Sequence, residues 1–171
     1  MFIIDKTIPL STIAESLIVG EDNFLANISN ISALIYNYLP ELNWAGFYML
    51  SGDELILSAF QGLPACIRIK VGRGVCGACA ESKSSIIVDD VESFPGHIAC
   101  DSASKSELVV PLMYNNSFIG LIDLDSPINN RFNAEIQSEI ELIAKLIVQH
   151  SDCDKIIAYY NQKFPFAFRI E

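Results

Sequence analysis

Apolar residues recur at steps of three and four between Asp22 and Pro40: Phe24, Leu25, Ile28, Ile31, Leu34, Ile35, Tyr38 and Leu39. That spacing places them on one stripe of a helix, and Pro40, which has no N–H and clashes with the preceding turn, ends it. A second stripe, Phe132, Ile136, Ile140, Ile143 and Ile147, predicts a helix continuing to about Tyr160. The run Leu10 to Ile18 predicts a shorter one, with Ser11 as its cap and Gly20 as its stop. Between the two long stripes the period falls to two. Asn43 to Leu50 and Glu54 to Phe60 read as strands joined at Ser51-Gly52-Asp53, and Glu107 to Tyr114 and Phe118 to Asp125 as strands around Asn115-Asn116-Ser117. A short helix around Val75 to Glu81, a short strand from Ser85 to Val88 and a loop over 89–106, with Pro95 and Gly96, fill the middle. Loops of that length inside a compact domain are usually functional. Helix, two strands, a variable middle, two strands and a helix make an α+β domain, an antiparallel sheet with helices packed on one face.

Charge narrows the function classes. Against 11 basic side chains stand 21 acidic ones, a net charge of -10, which argues against a nucleic-acid binder and against docking on anionic lipid. At 171 residues, 51% of them hydrophobic, the chain fits one domain, with 1–21 as a lead-in and 151–171 as a C-terminal extension. The start, M-F-I-I-D-K, lacks the basic and long apolar regions of a secretory signal, and no apolar run approaches the length of a membrane span. These features predict a cytoplasmic protein, in which five cysteines are more often working thiols or buried apolar residues than structural disulfides.

Candidate chemistry gathers in one stretch. Cys66, Cys76, Cys79 and Cys100 all lie between Pro64 and Cys100, among Gly and Pro, and His97 precedes Cys100 by three residues, where its charge can lower a thiol pKa. On the first strand Trp44, Gly46 and Tyr48 share a face. The two aromatics read either as core or as pocket lining, and Gly46 between them leaves room for a group to approach the sheet. Asp123 and Asp125 share a face of the last strand, either as a solvated strand end or as a crowded pair in which one carboxyl stays protonated.

Several linked motifs resemble one family. N-W-A-G-F-Y, F-Q-G-L-P-A-C-I-R-I, G-R-G-V-C-G, F-P-G-H-I-A-C-D-S-A-S-K-S-E-L-V-V-P-L and I-G-L-I-D-L-D-S-P are similar to the GAF-domain free methionine-(R)-sulfoxide reductases, in one register from about Leu25 to His150. The resemblance implies a GAF-like fold, Cys100 as the catalytic cysteine, and Cys66 and Cys76 as the other two active-site cysteines. It implies that Glu107, Asp123 and Asp125 surround the sulfoxide and that Trp44 and Tyr48 form an aromatic wall. It implies no cofactor and no metal, a thioredoxin-like reductant, and a homodimer. Cys79, Cys153 and the tail after about Ser151 lie outside the family pattern. A thiolate at Cys100 can take the oxygen as a sulfenic acid, which condenses with a second thiol, Cys66 or Cys76, to a disulfide. Two other classes compete: a small-ligand sensor without chemistry, and a zinc domain using Cys76, Cys79, His97 and Cys100 as a Cys3His set.

The three-acid arrangement makes a geometric demand. A two-residue turn at Asn115-Asn116 pairs Tyr114 with Ser117 and sets Glu107 opposite Leu124, facing away from Asp123 and Asp125. A three-residue connection sets Glu107 opposite Asp125, on their face. The sequence therefore predicts a three-residue connection, or a bulge of equivalent effect.

Overall fold

The computed structural model describes residues 4–96 and 102–162. Six strands, β1 (Trp44–Ser51), β2 (Glu54–Gly62), β3 (Arg68–Lys70), β4 (Ile86–Val88), β5 (Ser106–Tyr114) and β6 (Ser117–Ser126), form one sheet in the order β3-β2-β1-β6-β5-β4. Every neighbouring pair is antiparallel. Five α-helices accompany it: α1 (Leu10–Ile18), α2 (Phe24–Tyr38), α3 (Gly74–Ser82), α4 (Ala134–His150) and α5 (Cys153–Asn161). None of the described helices is long and apolar enough to cross a membrane.

Alternation along the strands divides the apolar residues into two cores. Ala45, Phe47 and Met49 of β1, Leu108, Val110 and Leu112 of β5, and Ile122 and Leu124 of β6 face α1, α2, α4 and α5. Ile28, Ile31 and Ile35 of α2 and Ile140, Ile143 and Ile147 of α4 meet them there, fully buried. These are the residues of the two sequence stripes, so helix periodicity and strand alternation converge on one core. On the opposite face, Trp44, Tyr48, Val109 and Leu121 pack with Val75, Cys76, Cys79 and Ala80 of α3. Four helices thus cover one face, as the element order predicts, and α3 alone covers the other.

Several local details differ from the sequence expectations. Pro9, not Ser11, stands at the N-cap of α1 and offers no capping side chain; the Ser11 N–H in the first turn donates instead to Glu139 Oε2 at 2.9 Å. The last helix is two. Ser151 is extended, and Asp152 accepts from the Lys155 N–H to start α5 afresh, so a capping carboxylate breaks the run that the apolar stripe alone would continue. Strand β3 has only three residues, too few to show a period, and the loop over 89–106 opens with a 3-10 turn at Val91–Ser93. The apolar tail 164–168 lies outside the described residues.

The β5–β6 hairpin meets the geometric demand by its second route. The turn has two residues, Asn115 and Asn116, both at positive φ (49° and 61°), and Tyr114 pairs with Ser117. That is the primed turn whose twist suits a hairpin, and Asn tolerates it better than other non-glycine residues. The register then shifts: Met113 pairs with Phe118 but Leu112 with Gly120, leaving Ile119 as an extra residue on β6. Phe118 and Leu121, three positions apart, consequently lie on one face, while Ile119 joins the helix-side core. Beyond the bulge Glu107 pairs with Asp125.

Candidate active site

The site is built on two rows across the centre of the sheet. In one, Trp44 of β1, Asp125 of β6 and Glu107 of β5 stand side by side; in the next, Gly46, Asp123 and Val109 do. All three acids therefore point to the α3 side, where Trp44, Tyr48, Cys76, Glu107, Asp123 and Asp125 line one pocket. Trp44 is 2% exposed, and Glu107 and Asp123 are 6% exposed.

Gly46 leaves room, but the occupant is internal. A Cβ built there would lie 2.4 Å from Trp44 Cη2 and 2.4 Å from Phe60 Cβ. The missing side chain thus lets the Trp44 indole lie back along its own strand, stacked on Phe60 and on Tyr48 with centroids 5.4 and 5.9 Å away. Polar ends of both aromatics reach the loop between β2 and β3. Trp44 Nε1–H donates to the Leu63 carbonyl at 3.1 Å, and the Tyr48 hydroxyl donates to the Cys66 carbonyl at 2.9 Å. Burial and the surrounding acids push the Tyr48 phenol up, so it remains a donor. Tyr48 therefore holds the backbone of a cysteine, a role that the alternation pattern cannot reveal.

Cys76 is buried as the third residue of α3, the short helix expected around Val75 to Glu81. Gly77 permits this placement: a Cβ there would meet the Lys70 carbonyl at 2.5 Å, so only glycine lets the helix press against the end of β3. Arg73 at the α3 N-cap and Ser104 also line the pocket. No spacing rule marks either; Arg73 is marked only by standing where the glycine-flanked turn becomes a helix.

The electrostatics follow from packing acids where water is excluded. Burial pushes the Glu107 carboxyl well up, and the charge of Asp123 pushes it further. Burial also raises Asp123, to about 7, against hydrogen bonds from Cys76 and Glu107 that lower it. The Cys76 thiol, 3.8 Å from Glu107 Oε1, is raised first by burial and then by Asp123 and Glu107. Burial thus favours the neutral form of both carboxyls, which share a hydrogen bond. The crowded carboxyl pair is Glu107 with Asp123, whereas the sequence suggested Asp123 with Asp125. One Asp123 oxygen, Oδ1, is buried with no hydrogen-bond partner.

The described cysteines fall into two redox states. Cys66, half-buried in the β2–β3 loop, is disulfide-bonded, whereas Cys76, Cys79 and Cys153 are free and buried. Burial raises Cys79 to about 12 and Cys153 to about 11, which suits inert thiols. His97 and Cys100 lie outside the described residues. Among the described residues, Cys76, Glu107 and Asp123 form a group that could hold a metal ion; the Cys3His set lies partly outside the described residues.

The sheet, with its pocket on the α3 side, is a GAF domain: the GAF domain family pattern matches residues 26–150. The Escherichia coli (strain K12) protein named free methionine-R-sulfoxide reductase is 45% identical over 153 residues, 89% of this chain and 88% of its own. The reduced form of fRMsr of Staphylococcus aureus superposes with a TM-score of 0.82 at 44% identity, over 88% of this chain and 99% of that one. Free methionine-R-sulfoxide reductase from Neisseria meningitidis, solved in complex with its substrate, gives 0.82 at 32% identity, over 93% and 95%. The chain belongs to the GAF-domain family of free methionine-R-sulfoxide reductases, which are oxidoreductases.

Proposed function

We propose that this protein reduces free L-methionine-(R)-sulfoxide to methionine with Cys100 as nucleophile. The observation that carries the reading is a disulfide-bonded Cys66 tethered by Tyr48 to a pocket walled by three acids and a tryptophan. The Cys100 thiolate attacks the sulfoxide sulfur. Glu107, the carboxyl that holds its proton, donates to the sulfoxide oxygen as the S–O bond breaks. The oxygen released from the substrate sulfur then attacks Cys100 Sγ as the transient S–S bond breaks, so that methionine leaves with its sulfur reduced by two electrons and Cys100 keeps the oxygen as a sulfenic acid. The Cys66 thiol then displaces that oxygen as water, forming a Cys66–Cys100 disulfide. The disulfide-bonded state of Cys66, with Cys76 free, favours Cys66 over Cys76 as the resolving thiol. A thioredoxin-like dithiol takes up the oxidation and restores both thiols.

The rest of the pocket suits a free amino acid. Asp125 and the Asp123 carboxylate can hold the ammonium. Arg73 and the unpaired N–H groups of the first α3 turn can hold the carboxylate. Trp44 covers the S-methyl end. We assign the protein to the cytoplasm on its sequence features, and a homodimer on the family resemblance and the fold. The test is turnover of the free R-sulfoxide with a dithiol reductant. Cys100→Ser abolishes it, while Cys66→Ser still gives about one methionine per chain. Steady-state activity in Cys100→Ser sinks the assignment, and comparable rates on peptide-bound methionine sulfoxide sink the closed pocket.

A further inference from the structure

We propose that Cys76, Glu107 and Asp123 form a three-ligand site for a borderline divalent cation such as Zn2+, whose binding shuts the pocket to substrate. The three side chains come from three elements, α3, β5 and β6, and all are buried. Each offers one ligand atom, and these atoms lie within 4.8 Å of one another. Zinc bonds of about 2.3 Å to sulfur and 2.1 Å to oxygen set a tetrahedral S···O edge of roughly 3.6 Å. Cys76 Sγ stands 3.8 Å from Glu107 Oε1, so this edge of the site is nearly formed before any ion arrives.

A second observation points to a ligand. Asp123 Oδ1 is buried in the same wall with no hydrogen-bond partner. Buried carboxylate oxygens are rarely left so, because each loses its hydration without return. A cation between the two carboxylates and the thiolate supplies that return. One thiolate with two carboxylates is a donor set that zinc and cadmium accept, whereas the hard ions Ca2+ and Mg2+ prefer oxygen alone. Three protein ligands leave one position open toward the pocket, the arrangement of an accessible rather than a sealed site. The ion would occupy the space between the acids that the proposed substrate needs, and the net charge of -10 favours its approach.

The exclusion of substrate rests on the proposed function, but the ion site itself does not, and its test needs no turnover. The oxidised protein is used, in which Cys66 is already tied up in its disulfide. Zn2+ is titrated against a chromophoric chelator, and Cd2+ is followed by its ultraviolet thiolate charge-transfer band. The expected result is one equivalent of either ion per wild-type chain. The band is lost in Cys76→Ser and retained in Cys79→Ser. Affinity falls by about 10–100-fold or more in Glu107→Gln and in Asp123→Asn, since ligand loss costs at least what loss of an outer partner does. Failure of the wild-type chain to take up one equivalent overturns the proposal, whatever the variants do. So does a band that survives Cys76→Ser or disappears with Cys79→Ser.

Discussion

Substituting Gly46 by alanine tests the central packing relation of the site. The new Cβ falls 2.4 Å from Phe60 Cβ and 2.4 Å from Trp44 Cη2. Carbon atoms in ordinary contact stand about 3.5–4.0 Å apart, so more than about 1 Å must be found on each side. Phe60 Cβ is fixed to the backbone of β2, which pairs with β1 at Gly46 itself. The Trp44 ring must therefore move. In moving it gives up its hydrogen bond to Leu63, about 1 kcal/mol, on top of an overpacking cost of about 1–3 kcal/mol. We expect Gly46→Ala to lose about 2–4 kcal/mol in urea unfolding. Trp44 is the chain's single tryptophan, so its emission reports the ring directly, and we expect a shift to longer wavelength in the folded variant. Reductase activity should fall mainly through KM, because the wall of the pocket has moved and the cysteines have not. Gly52→Ala is the control: φ there is +63° but nothing lies within 4 Å, so it should cost about 1–2 kcal/mol of backbone strain and leave Trp44 emission unchanged. A Gly46→Ala protein within about 0.5 kcal/mol of wild type, with unaltered emission, would refute the reasoning.

Other outcomes follow from the acids and the tether. Burial raises Asp123 from 3.8 to about 7, so the folded protein favours its neutral form. The stability this group contributes is present below its unfolded pKa and is lost as pH rises through about 7. Asp123→Asn should therefore be less active yet more stable than wild type at pH 8, by at most about 4 kcal/mol at about 1.4 kcal/mol per unit, with the advantage gone at pH 4. Urea midpoints that run parallel for the two proteins across that range would show that Asp123 is not held neutral. Tyr48→Phe removes the donor to the Cys66 carbonyl and should cost about 1 kcal/mol. It should slow recycling of the disulfide more than the first, single turnover; an equal effect on both would mean that the tether does not position Cys66.

Much of the fold was legible because two independent periods point to one core. Alternation in β1, β5 and β6 and the stripes of α2 and α4 converge there, and any other phase would turn Phe47, Leu108 or Ile140 away from it. The break at Ser151-Asp152 was not legible, because a capping carboxylate does not interrupt an apolar stripe. Within the site, the convergence of Glu107 with Asp123 and Asp125 could be stated as a condition on register but not located, since nothing in S-F-I-G-L marks Ile119 as the inserted residue. The tether from Tyr48 to Cys66 was hidden for another reason. It joins a side chain to a backbone carbonyl 18 positions away, and sequence pattern carries information about side chains only.

The single extra residue at Ile119 works like a reading-frame mark. Upstream of it, between the turn and the bulge, β6 is read in one frame; downstream, every odd position from Leu121 to Asp125 is assigned to the α3 side, where the pocket lies, and every even one to the other helices. Two messages, one for holding the fold together and one for chemistry, are interleaved letter by letter along the same strand. Point substitutions can edit either without touching the other. Loss or gain of one residue in the hairpin is a frameshift: it would turn Ile122 and Leu124 toward the pocket and Asp123 and Asp125 into the helix core, exchanging both messages at once. Divergence in this hairpin should therefore proceed by substitution at constant length.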